Sequence, residues 1–151
     1  MLPVIRKAGL DDVDALARMF DEYRIAHGAD SDVDGCIRFL EERFSSQESC
    51  ALVAVREETI IGFAHLYPRF ASLKLSRNWI LNDLYVCPEE RRKGIARDLI
   101  EESKAFARDL GADMLTVTTT EENMAAKALY LSAGFKTIAG LEIFGCSVKA
   151  P

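Results

Sequence analysis

Residues 79–110, WILNDLYVCPEERRKGIARDLIEESKAFARDL, read as a strand, a turn and a helix in immediate succession. The run from Trp79 to Cys87 is apolar and rich in strand formers, and Pro88, with no N–H to give a sheet ladder, closes it. Ile95, Ala96, Leu99, Ile100, Ser103, Phe106, Ala107 and Leu110 then recur at helical spacing, with Gly111 placed to stop the helix. Between them PEERRKG sets a glycine directly before the helix N-terminus, where unpaired backbone N–H groups meet the positive end of the helix dipole. Arg91, Arg92 and Lys93 add cations beside those amides. The segment therefore has the physics of a pyrophosphate site, although a basic turn is also a common solvated surface feature.

Working outward, PVIRK at residues 3–7 predicts a short first strand, and Asp11 or Asp12 is placed to cap a helix with Val13, Leu16, Ala17, Phe20 and Tyr23 on one face. After the loop GADSDVDG, Ile37, Leu40 and Phe44 mark a second helix ending near Ser45 and Ser46. CALVAVR and TIIGFAHLYPRF, separated by Glu57 and Glu58, predict an antiparallel hairpin to which the Trp79 strand adds a third member. Downstream, MLTVTTT reads as a strand, Asn123 begins a helix ending before Gly134, and KTIAGLEIFGCSVK predicts one or two closing strands turning at Gly140. The order predicts an α/β fold around a mixed sheet.

The chain of 151 residues fits one domain spanning residues 1–151, and 49% hydrophobic content suffices for one core. No apolar leader opens the sequence and no run approaches the ~18 apolar residues that cross a bilayer, which predicts a cytoplasmic protein with no membrane partner. The net charge of −5 argues against nucleic acid as a partner. Cys36, Cys50, Cys87 and Cys146 are widely spaced without a C-x-x-C pair and read as reduced, buried thiols. His27 and His65 lie far from them in sequence, so no metal is expected. Asp30, Asp32, Asp34, Gly35 and Glu41 do fit a calcium-loop pattern, but Arg38 stands where an oxygen ligand belongs, and acidic residues commonly cap a helix.

Two short patterns narrow the reading. Arg91, Gly94 and Ala96 stand as R-x-x-G-x-A directly after the apolar strand, and NMAAKALYLSAGF carries Asn123, Ala126, Leu129, Tyr130, Gly134 and Phe135 as N-x-x-A-x-x-L-Y-x-x-x-G-F. Asn123, Ala126, Lys127 and Tyr130 share one helical face, so one ligand could touch them all. Together, in this order and separation, the two patterns resemble motifs A and B of the GNAT family of N-acetyltransferases, and the resemblance extends over nearly the whole chain. ILNDLYV and FDEYR look closest to the polyamine and histone-type branch.

The resemblance implies a central, mostly antiparallel twisted sheet of six or seven strands flanked by about four helices. It implies acetyl-CoA as cosubstrate, its pantetheine in a V-shaped gap beside Leu84, Tyr85 and Val86. The pyrophosphate would lie on the amides from Arg92 through Lys93, Gly94, Ile95 and Ala96 to Arg97, with Arg91 adjacent. The acceptor would be a primary amine of polyamine, amino-acid or lysine type, attacking directly in a ternary complex. A homodimer joined through LEIFGCSV is also implied. Tyr130 would protonate the departing thiolate, and a backbone N–H near Val86 would hold the oxyanion.

An alkylammonium of pKa near 10.4 must first lose a proton, at a cost of about 4 kcal/mol near neutral pH. Related diamine acetyltransferases carry Glu where this chain has Asn82, which cannot take that proton. Asp83 could, but on a regular strand it points to the opposite face unless a bulge re-aims it. Water ordered by Asn82, Asp83 or His65 is the remaining route, His65 reading equally as a satisfied strand histidine. Tyr23, Asp30 and Asp32 are candidates to border the acceptor and attract its ammonium. A non-catalytic acyl-CoA-binding or sensing domain is the alternative from a different class.

Overall fold

A computed structural model of the chain describes residues 1–151. Its sheet has five strands in the order β1 (Val4–Lys7), β2 (Cys50–Arg56), β3 (Thr59–Ala71), β4 (Ser76–Val86) and β5 (Leu115–Val117). The first four pair antiparallel and β5 joins β4 in parallel. Helices α1 (Val13–Ala26) and α2 (Val33–Ser45) cover one face, while α3 (Ile95–Asp109) and α4 (Met124–Ser132) lie on the side of the other.

Period-two alternation sends β2 side chains both ways: Leu52 and Ala54 pack with α3, Ala51 and Val53 with α1 and α2. The α3 stripe read from the sequence is the buried one, with Ile95, Leu99, Ile100, Ser103 and Ala107 facing the core. Each such Leu or Ile contributes roughly 1.5–3 kcal/mol by leaving water. Ser103 is accommodated because its hydroxyl donates to Leu99 O at 2.7 Å.

Asp21, inside α1, is buried and organises the turn into α2. Its carboxylate accepts from Asp32 N at 2.8 Å, Ser31 Oγ at 2.7 Å and Arg24 Nη1 at 3.4 Å. The backbone N–H of Asp32, then Ser31, hold its pKa below the ordinary carboxylate value. A folded pKa below the unfolded one gives stability that is full above the unfolded pKa and is lost as pH falls through the folded value. Melting curves should therefore fall steeply below about pH 4, and Asp21→Asn should melt lower near neutrality with a shallower acid limb. Parallel acid limbs in the two proteins would remove Asp21 from that role.

Two expectations need correction. The segment KTIAGLEIFGCSVK forms no strand within one chain, and Leu141, Ile143, Phe144 and Val148 are exposed. The sheet therefore has five strands rather than six or seven, since an apolar pattern makes a strand only where a partner supplies the ladder. Cys146, on that segment, is exposed, whereas Cys36 and Cys50 are buried and Cys87 half-buried, all four as free thiols. The calcium-loop pattern is taken up by helix: α2 begins at Val33 and Asp32 Oδ1 accepts from Gly35 N at 2.9 Å, so Asp34, Gly35 and Glu41 lie within α2. No helix is long and apolar enough to cross a membrane.

Candidate active site

The β4–β5 ladder is short. It pairs Trp79 with Leu115, Ile80 with Thr116 and Leu81 with Val117, and the two strands then part. From Asn82 to Val86 that edge of β4 faces a cavity of about 360 Å3, within the range of small-ligand sites. Asn82, Leu84, Tyr85 and Val86 form one wall, Thr118 and Thr119 beyond β5 another, and Asn123, Ala126, Leu129 and Tyr130 of α4 a third. Tyr23 and His27 at the end of α1 close one side, with Arg91 and Ala96 at the other.

The turn into α3 leaves the helix end open. Gly94 is the N-cap at φ +85, a left-handed conformation natural to glycine, and no side chain caps the helix. The leading amides are left to an external acceptor. A Cβ at Gly94 would meet nothing within 4 Å, so the space before the helix is open. Arg91 Nε donates to Val86 O at 2.8 Å and its guanidinium lies 5.3 Å from the Tyr85 ring centre, tying the end of β4 to the turn. Lys93 is drawn to Glu90 at 3.1 Å, and Arg97 donates to Ser132 Oγ at 3.2 Å, linking α3 to α4. Arg92 is exposed and, at φ +62, sits in the same left-handed region.

On α4, Asn123 Oδ1 accepts from Ala126 N at 3.1 Å, so this side chain is the helix cap as well as cavity wall. Tyr130 is half-buried against Phe135, and burial pushes its phenol up, which keeps the proton on oxygen across the neutral range. Lys127 points away, donating to Glu121 O at 3.3 Å.

Asn82 and Asp83 divide at a bulge. His65 pairs with Asp83 and Leu66 with Leu81, leaving Asn82 unopposed. Asn82 lines the cavity, while Asp83 is buried opposite His65 behind it. The bulge also lets Leu81 and Trp79 turn into the α3 core.

Of the residues named from the sequence, Tyr23, Asn82, Leu84, Tyr85, Val86, Arg91, Ala96, Asn123, Ala126 and Tyr130 meet at the cavity. Gly94, Ile95 and Arg97 form the helix end beside it, Ile95 with its side chain in the core. Asp30 and Asp32 do not line it: Asp32 caps α2, and Asp30 O accepts from Arg24. His27, Thr118, Thr119, Ala125 and Leu129 also line the cavity, beyond the site residues that the sequence marks. Leu129 stood in the second pattern already, and the threonines follow the β5 strand, but nothing local marks His27.

The geometry agrees with what known proteins show. The model of the acetyltransferase (GNAT) family matches residues 14–135. The "Uncharacterized N-acetyltransferase YhfO" of Bacillus subtilis (strain 168) is 37% identical over 146 residues, 97% of this chain and 98% of that protein. A crystal structure of a "probable acetyltransferase" superposes with a TM-score of 0.91 at 35% identity, over 98% of this chain and 99% of that one. An aminoglycoside N-acetyltransferase in complex with CoA shares the fold at a TM-score of 0.82 and 18% identity, over 95% and 94% of the two chains. With the family matched across most of its length and a relative matched nearly end to end, the chain belongs to the acetyltransferase (GNAT) family of N-acetyltransferases.

Proposed function

We propose that this enzyme moves the acetyl group of acetyl-CoA to a primary amine, of polyamine, amino-acid or lysine type, by direct attack in a ternary complex. The observation that carries the reading is the cavity in the split between β4 and β5, with Tyr130 on its wall and the bare amide end of α3 beside it. The residues fit the donor. The edge of β4 from Leu84 to Val86, which β5 no longer covers, suits the amides of a pantetheine arm, and the amides from Arg92 to Arg97, with Arg91 and Lys93, suit a pyrophosphate. Asn123, Ala126 and Tyr130 of α4 line the same space, with Lys127 on that helix turned toward Glu121 O. Acetyl-CoA supplies the activated acyl group, and Tyr130 supplies a proton to the leaving sulfur.

The acceptor side is aromatic. Tyr23, His27 and Tyr85 offer ring faces to an ammonium, and Glu22, which accepts from the Tyr85 hydroxyl at 3.5 Å, brings a carboxylate to the rim. Attraction of the substrate by Asp30 and Asp32 would act at longer range, from the loop after α1. Calorimetric titration with acetyl-CoA, followed by thiol release with a panel of polyamines, amino acids and lysine peptides, tests the reading. Binding with turnover on at least one amine is expected; no binding sinks the donor, and binding without turnover on any amine sinks the acceptor class.

The same reading takes residues 1–151 as one catalytic domain working in the cytoplasm, with neither nucleic acid nor membrane as partner. It also makes the enzyme a homodimer. The exposed apolar segment around Leu141, Ile143, Phe144 and Val148 carries a strand pattern without a partner, which a second copy can provide. Light scattering should give the mass of two chains, and Phe144→Asp should shift it toward one. A single-chain mass for the unaltered protein would end the dimer proposal.

A further inference from the structure

No carboxylate lines the cavity. Its three tyrosines, Tyr23, Tyr85 and Tyr130, have phenols pushed up by burial and keep their protons at neutral pH. Arg91 is a fixed cation, and the amides and hydroxyls of the other polar lining residues have no basic lone pair. Asp83 and His65 are buried behind the wall and do not line it. Among the lining residues, that leaves His27 as the one side chain able to take a proton from an ammonium.

The end of α1 presents this ring in one tautomer. His27 is the C-cap residue, and Gly28 at φ +88 turns the chain away after it. The His27 backbone N–H donates to Tyr23 O at 3.2 Å, closing the last helical turn, and His27 Nδ1 lies 2.8 Å from the same oxygen. A carbonyl oxygen only accepts, so the hydrogen is on Nδ1 and the neutral ring carries its lone pair on Nε2. Nε2, at the far edge of the ring, bonds no protein group. The ring is braced against Tyr23, centre to centre 4.3 Å, and is open to water. Imidazole is also the suitable chemistry. It is ordinarily a stronger base than a carboxylate by roughly two pKa units, yet it still has a free lone pair near neutral pH, where an amine side chain does not.

We propose that His27 is the general base of the reaction, accepting the acceptor's proton on Nε2; this rests on the amine-acetylation reading above. The ammonium N–H bond breaks and its proton joins the Nε2 lone pair. The nitrogen keeps the electron pair and bonds to the thioester carbonyl carbon; the C–S bond then breaks and the sulfur takes its proton from Tyr130. The imidazolium keeps its Nδ1 hydrogen on Tyr23 O, a bond that the new charge strengthens, at the end of the helix that favours a cation. Being exposed, it gives its extra proton to water before the next cycle.

The charged and titratable groups around the ring leave this role to it. Tyr23 lies against it, and Tyr85 on β4, its hydroxyl directed at Glu22, and Tyr130 on α4 face Tyr23. Arg24, one helical turn back from His27, is held by Asp21 at 3.4 Å and by Asp30 O at 3.2 Å, so its charge is already engaged.

The test is a pH profile with chemical rescue. His27→Gln keeps an N–H for the Tyr23 carbonyl and has no basic lone pair, so kcat/KM for the amine near neutral pH should fall about 100-fold, within the usual range for a positioned base. Acetyl-CoA affinity should change less than about threefold. The shape of the profile distinguishes a base from a prop. The unaltered enzyme should be nearly level from about pH 7.5 to 10, whereas the variant, which must wait for free amine, should climb about tenfold per pH unit until the gap closes. Added imidazole should return part of the rate to His27→Ala. A His27→Gln profile that coincides with the unaltered one overturns the base, and so does a deficit that stays constant to pH 10 and that imidazole does not relieve. Independently of turnover, nitrogen-15 NMR should place the hydrogen of neutral His27 on Nδ1; a hydrogen on Nε2 overturns the proposal. If acetyl-CoA binds and no amine turns over, the acceptor reading fails and the base fails with it, whereas turnover that ignores His27 removes the base alone.

Discussion

Replacing Tyr130 with Phe should lower kcat by about 100-fold while acetyl-CoA affinity stays within about threefold. The side chain sits on the α4 wall of the cavity, its ring against Phe135, and loses only the hydroxyl in this substitution. Packing of the ring is retained, so the change isolates the proton. Burial raises the phenol, which keeps it protonated wherever the enzyme works and makes it a donor rather than a base. A donor at the leaving sulfur gains most when charge has developed there, so its loss appears in kcat more than in binding. The sign with pH follows: activity that depends on the protonated phenol is full at neutral pH and declines only as pH rises through the raised value. Stopped assays across that range, with calorimetry for acetyl-CoA, check both limbs. An unchanged kcat would take Tyr130 out of the mechanism.

Tyr23 and Tyr130 both line the cavity, and burial pushes both phenols up, Tyr130 adding a small part of the shift at Tyr23.

How far the sequence reveals this site depends on whether each feature is local. The strand, turn and helix from Trp79 to Leu110 are legible because the apolar period changes at Pro88 and again after Gly94. The Asn123 cap is legible for the same reason, its partner Ala126 being three residues on. The split between β4 and β5 is not. MLTVTTT is β-prone throughout, yet pairing stops at Val117 because of how two distant strands diverge. The bulge at Asn82 is likewise a property of the β3–β4 register, so the direction of Asp83 could not be settled from its own strand. His27 reaches the cavity only because α1 ends beside it. The closing segment errs in the opposite sense, carrying a strand pattern for which one chain offers no ladder.

The largest stability loss is expected from Leu99→Ala. Leu99 is fully buried, one turn along α3 from Ile95, and packs in the cluster that holds Ile61, Ala64 and Val86. Its Cδ1 is 3.4 Å from where a Cβ would stand on Gly62, so helix and sheet are in close contact at this point. Truncation removes the transfer energy of the lost carbons and leaves a cavity that an interlocked strand and helix cannot readily fill. That combination costs about 2–5 kcal/mol. For a chain of this size the Tm should fall by roughly 6–15 °C. Leu131→Ala on α4 is the matched control, since Leu131 is 59% exposed and its truncation should stay within about 0.5 kcal/mol. The buried change also bears on function. α3 carries the Gly94 amide end, and its seat on the sheet is set by Ile95 and Leu99. Near the melting range acetyl-CoA should therefore restore part of the lost Tm by binding only the folded form. Thermal melts of both variants, with and without acetyl-CoA, read this directly, and equal Tm values for the two would mean that α3 is not packed on β3 and β4 through Leu99.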